Sequence, residues 1–144
     1  MKDLLASLLC ALCLLMAGDC QATVQEFGPS FSRFAIDVPE GWTAKALKNG
    51  VQMVSHDRQN SIAAIIDDNR GLSAEQIAKG VAQKTGLKEV RRKNESNYFV
   101  TGVKDGTKVA ITITVAGKIF VMFTMAGNDA DALCRIIDSF RLAK

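Results

Sequence analysis

The chain has 144 residues, 48% of them hydrophobic and 23% charged, with 18 Lys and Arg against 15 Asp and Glu for a formal net charge of +3. That is the length of one ordinary domain with one real core, and no Pro-, Gly- or Ser-rich linker, repeat or low-complexity tract divides it. So mild a positive excess serves solubility and argues against a nucleic-acid partner.

The first 22 residues read as an address. Lys2 opens the chain, an uncharged run from Leu4 to Ala17 carries seven leucines, and small residues stand at Cys20 and Ala22. This is the order of a secretory signal peptide, and the run is shorter than the roughly 20 residues a membrane span needs. The expectation is a signal peptide over 1–22, cleavage after Ala22, and a single domain over 23–144 working in the periplasm or outside the cell, with no stable membrane span. Losing Lys2, Asp3 and Asp19 leaves 17 basic and 13 acidic side chains, a net charge of +4. Cys10, Cys13 and Cys20 leave too, so Cys134 stands alone and no intramolecular disulfide is possible. The C-x-x-C spacing of Cys10 and Cys13 lies in the apolar signal core, where it carries no redox meaning. A lipidated Cys20 would follow a small residue; Asp19 stands there instead and argues against lipidation.

In the mature part, Phe34, Ile36 and Val38 alternate with Ala35 and Asp37, a strand with one buried face. Pro39-Glu40-Gly41 ends it and delivers Trp42, which reads as a core residue. Asn49-Gly50 signals a hairpin turn between strands at Thr43–Leu47 and Val51–Ser55. Ser61 to Ile66 is apolar on both faces, which suits a central strand. Ser73 and Gln76 form a capping box that opens a helix with Ala74, Ile77, Ala78 and Val81 on one stripe, and Gly86 suits its end.

Three strands follow: a polar one at Leu87–Lys93, expected at a sheet edge, then Tyr98–Val103 and Val109–Val115 around an Asp105-Gly106 turn. Val109, Ile111, Ile113 and Val115 share one face. Ile119–Met125 is apolar on both faces and so deep. Asn128 or Asp129 caps a last helix, in which Leu133, Ile136, Ile137 and Phe140 make one stripe. Two helices against an antiparallel sheet make an α+β fold.

The run Phe34-Ala-Ile-Asp-Val-Pro-Glu-Gly-Trp42 resembles the opening motif of PsbP-like domains and of the related DcrB-like bacterial envelope proteins. The closing Ser139-Phe140-Arg141 is similar to that superfamily's last helix. The resemblance covers most of 31–142. It implies a central antiparallel β-sheet with helices packed on its faces, an α/β/α sandwich. It also implies a protein that binds other proteins, as an extrinsic subunit of photosystem II and a nuclear Ran-binding protein of that superfamily do. It brings no shared catalytic motif and names no partner.

Chemistry-bearing residues are sparse. His56 is the only histidine, no G-x-S-x-G occurs, and His56-Asp57 sits at a strand end, which suits an exposed turn. Cys134, beside Leu133, reads as a packed, inert thiol. Asp67-Asp68-Asn69 lacks the spacing of a calcium loop and reads as a solvated loop. No zinc spacing, phosphate loop or nucleic-acid motif occurs. Lys88, Arg91, Arg92 and Lys93 form the one basic run. Such charges protect an edge strand from pairing, and they are also the candidate contact surface for a protein partner. The expectation is a non-enzymatic envelope protein, without metal or cofactor, that binds another envelope protein. A small-molecule or lipid-binding module, with a pocket lined by residues such as Phe120 and Met122, is the alternative. A hydrolase using His56 is the third reading.

Overall fold

The computed structural model describes residues 22–144. The leader reading, with Cys10, Cys13 and Cys20, lies outside the described residues.

Among the described residues ten strands and two helices follow in order: β1 (Thr23–Phe27), β2 (Phe34–Val38), β3 (Thr43–Leu47), β4 (Gly50–Val54), β5 (Ser61–Asp68), α1 (Ala74–Thr85), β6 (Glu89–Asn94), β7 (Asn97–Lys104), β8 (Thr107–Ala116), β9 (Ile119–Ala126), α2 (Ala130–Asp138) and β10 (Arg141–Leu142). Seven strands form one antiparallel sheet in the order β3-β4-β5-β9-β8-β7-β6. The two runs read as apolar on both faces, β5 and β9, lie side by side in its middle, and the polar β6 is outermost.

Directly opposed residues of an antiparallel pair share a face, and neighbours along a strand alternate. Ile113 lies opposite both Met122 and Tyr98, and Ile111 opposite Val100. These residues, with Ala74, Ala78 and Leu87, make the core under α1. Phe123, one residue along β9, points to the other side. There it joins Ala64, Ile62, Ile66, Val51 and Met53 beneath Leu133 and Ile136 of α2. The helices therefore cover opposite faces of the sheet, as an α+β sandwich requires, and over different strands.

The second face also carries a sheet of its own. β2 pairs with β1 on one side and with β10 on the other. Phe34 and Ile36 are fully buried and Ala35, on the other face, is buried at 8% exposure, so β2 is covered more completely than a strand with one buried face. β1 and β10 were not evident in the sequence: β1 is exposed from Thr23 to Glu26 and pairs only with the next strand, and β10 is two residues held by long-range pairing with β2.

Local chemistry explains most boundaries. Ser73 Oγ accepts from the Gln76 N–H at 3.2 Å, Gln76 Oε1 accepts from the Ser73 N–H at 2.9 Å, and Gly86 ends α1 with φ +75°. Asp129 caps α2 by accepting from the Ala132 N–H at 3.1 Å. Asp105 and Gly106 have φ of +51° and +77°, the left-handed pair that a tight hairpin needs. The Asn49-Gly50 expectation shifts by one residue. Leu47 opposes Gly50, so Lys48 and Asn49 form the turn, and neither has positive φ. Gly50 is required for a different reason: a Cβ there would overlap the carbonyl oxygen of Ala64 on the neighbouring strand. The edge strand starts at Glu89 rather than Leu87, because Leu87 turns inward, 5% exposed, against Gly102. Trp42 is half-buried against the second core.

Candidate functional site

The outer edge of β6 belongs to the side of the seven-stranded sheet farthest from β3. Every residue from Lys88 to Glu95 is exposed. Pairing with β7 is regular from Glu89 to Arg92 and shifts before Asn94, so Lys93 sits at a bulge. Bulges and cations on an edge both discourage unwanted strand pairing.

The four cations do not form one patch. Arg92 opposes Tyr98 and so lies on the face that α1 covers, whereas Arg91 opposes Phe99 on the other face. Each arginine also has a carboxylate beside it: Arg91 Nη2 is 3.3 Å from Glu89 Oε2, and Arg92 Nη2 is 3.7 Å from Glu95 Oε1. Glu89 is held in turn by the Thr101 hydroxyl, which donates to it at 3.1 Å. Lys88 and Lys93 carry no ion pair among the described residues. On the α1 side, the Lys79 ammonium, 2.7 Å from Glu75, holds that carboxyl below its usual range, with a lesser contribution from Arg92.

Two depressions flank α2, and both open to solvent. One, about 410 Å³, lies between α2 and the β7–β8 strands and is lined mainly by Met125, Val109, Ala110, Leu133, Gly102 and Cys134. Glu89 and Thr101 form its rim, which places it on the same sheet face as Arg91. The other, about 550 Å³, lies between α2 and the turn after β2, with Asp37, Glu40, Trp42, Asp129 and Arg135 around it. Neither depression was evident in the sequence, since each joins residues from distant strands. A pocket around Phe120 and Met122 is not what the structure places there: Met122 packs into the core under α1.

Cys134 corrects an expectation. It is exposed, not packed. Successive helix residues are about 100° apart, which sets Cys134 roughly a quarter-turn off the Leu133–Ile136–Phe140 stripe. Helical-wheel arithmetic was the available signal, and sequence adjacency to Leu133 the misleading one.

His56 is exposed in the turn between β4 and β5. Beside it Asp57 accepts from the Ser55 hydroxyl at 2.6 Å and the Gln59 N–H at 2.9 Å, and these bonds lower its pKa. Asp67 accepts from Asn49 Nδ2 at 2.9 Å, Asp68 from the Arg70 N–H at 2.6 Å. Buried Asn69 joins the carbonyl of Gly117 at 2.8 Å to the N–H of Gly71 at 2.9 Å. These side chains tie down loop backbone. Among the described residues no three His, Cys, Asp or Glu side chains are grouped to hold a metal, and no helix is long and apolar enough to cross a membrane.

No protein-family profile and no curated protein matches the chain. Among solved structures the chain is similar to cyanobacterial PsbP from Synechocystis sp. PCC 6803, at 13% identity and a TM-score of 0.53, covering 88% of this chain and 96% of that one. A chain from Bacteroides thetaiotaomicron aligns at 12% identity and a TM-score of 0.46, over 77% of this chain and 45% of its own. The first likeness makes the fold PsbP-like.

Proposed function

We propose that this is an exported, non-enzymatic protein that binds another protein of the cell envelope through the outer edge of β6. The observation that carries this reading is the edge itself: a wholly exposed strand, unpaired along its outer side, with three cations and Lys88 just before it, next to an open apolar groove on the Arg91 side. Protein interfaces combine an apolar centre with a polar rim, a free edge offers backbone groups to a partner strand, and charges speed and orient encounter. The leader-like start supports export, and the family resemblance supports a protein partner.

The small-molecule or lipid-binding alternative has one observation in its favour, the same apolar groove, whose volume falls within the usual range for ligand sites. Its openness to solvent favours a protein surface over an enclosed ligand.

A photo-crosslinking side chain placed at Lys93, in protein exported by its own leader, tests the proposal. The same probe at Lys45, on the opposite edge of the sheet, is the control. A discrete protein adduct from Lys93 alone supports the reading. Equal adducts from both positions, or adducts only with lipid, overturn it.

A further inference from the structure

We infer that leader removal at Ala22–Thr23 seats the new amino-terminal ammonium in the acidic groove beside α2, where it anchors β1. The inference rests on the export reading above.

Its basis is the placement of the bond that would be cut. Ala22 itself lines the groove, together with Asp37, Glu40, Asp129 and Arg135. Thr23 opposes Val38 and Val24 opposes Asp37, so the Thr23 nitrogen lies beside the end of β2 where the chain turns into Pro39 and Glu40. The charged groups around that position come from every neighbouring element: Asp37 on β2, Glu40 in the turn, Asp129 and Arg135 on α2, and Arg141 on β10. Three carboxylates face one groove-lining guanidinium, and Arg141 pairs with Asp37 at 3.7 Å. That separation is too long for a hydrogen bond, and Asp37 Oδ1 is buried with no hydrogen-bond partner.

In the uncut chain the Thr23 nitrogen is an uncharged amide. After cleavage it is an ammonium with three donors, facing an excess of negative charge. Opposite charges at short range favour the charged form and so raise its pKa. β1 needs such an anchor. It is an edge strand paired only with β2, and Thr23 to Glu26 are exposed; Phe27 alone packs inward, 6.3 Å from the Phe34 ring. Maturation thus supplies a charge that the fold is arranged to receive.

The test compares protein 23–144 with a free Thr23 amine and the same protein acetylated on that amine. The amine pKa is followed by NMR after reductive ¹³C-methylation, and β1 by amide exchange. The expected results are an amine pKa above the ordinary value of about 7.7–8.0, its return toward that value in Glu40→Gln and Asp37→Asn, and several-fold faster β1 exchange in the acetylated form. An ordinary pKa with equal exchange overturns the inference. Intact mass of the exported protein separates this from the export reading. A first residue other than Thr23 sinks the cleavage reading, whereas a Thr23 start with an ordinary amine sinks this inference alone.

Discussion

The ring of Phe140 meets that of Phe123 edge to face, with centroids 5.2 Å apart and planes at 87°. Phe123 belongs to the middle of the large sheet. The other side of Phe140 lies 4.9 Å from Phe34, in the small sheet. One residue just past α2 therefore ties helix end, small sheet and large sheet together. Edge-to-face pairs add to the burial of the rings themselves.

Phe140→Ala removes both contacts. Truncating a well-packed Phe costs about 3–5 kcal/mol, and half-burial places Phe140 toward the lower end. That is a large share of a domain's total stability. The urea midpoint should fall sharply with the slope unchanged. An unmoved midpoint would show α2 to be a detachable tail.

Two glycines should respond in opposite directions. Gly80 lies within α1, where an added Cβ meets nothing within 4 Å, so Gly80→Ala should stabilise the protein by about 0.5–1 kcal/mol through helix propensity. Gly50→Ala drives a methyl into the Ala64 carbonyl and forces β4 and β5 apart, so it should destabilise by more than about 2 kcal/mol. Thermal melts of the two variants check both signs together.

Cys134 should react with a thiol reagent in the native protein nearly as fast as after unfolding, because it is exposed. Slow native labelling would mean that the groove beside α2 closes over it in solution.

The parts of the fold that were legible in the sequence are those set by local chemistry. Ser73 and Gln76 marked a helix start that the structure forms with both reciprocal bonds, and Asp105-Gly106 marked a turn that needs two positive φ values. The Leu133–Phe140 stripe identified the buried side of α2. Asn49-Gly50 misled by one position, because that glycine answers to a neighbouring strand rather than to the turn. Of the second sheet only β2 was legible, from its apolar alternation; that it pairs with β1 and β10 rather than joining the large sheet was not, because β1 and β10 meet it from opposite ends of the chain. At the candidate site, the edge position of the basic run was legible from its charged, mostly polar make-up, in which Val90 is the one apolar residue between Lys88 and Lys93. The division of Arg91 from Arg92 follows from strand alternation, but which of them shares a face with α1 was not legible, since that is assigned by pairing with Phe99 and Tyr98. The groove on the Arg91 side, built from β7, β8, β9 and α2, was hidden for the same reason.

The β6 edge as a protein-binding surface is tested most directly by the association rate of the partner captured by crosslinking at Lys93. The rate is measured across a range of salt for the natural protein and for the Arg91→Glu, Arg92→Glu double variant. Exposed charges contribute little to folding, so the variant should keep its denaturation midpoint. The account predicts association at least several-fold slower, with a flatter salt dependence. An unchanged on-rate and an unchanged salt response would contradict it, and would leave the cations of β6 as protection of an edge and nothing more.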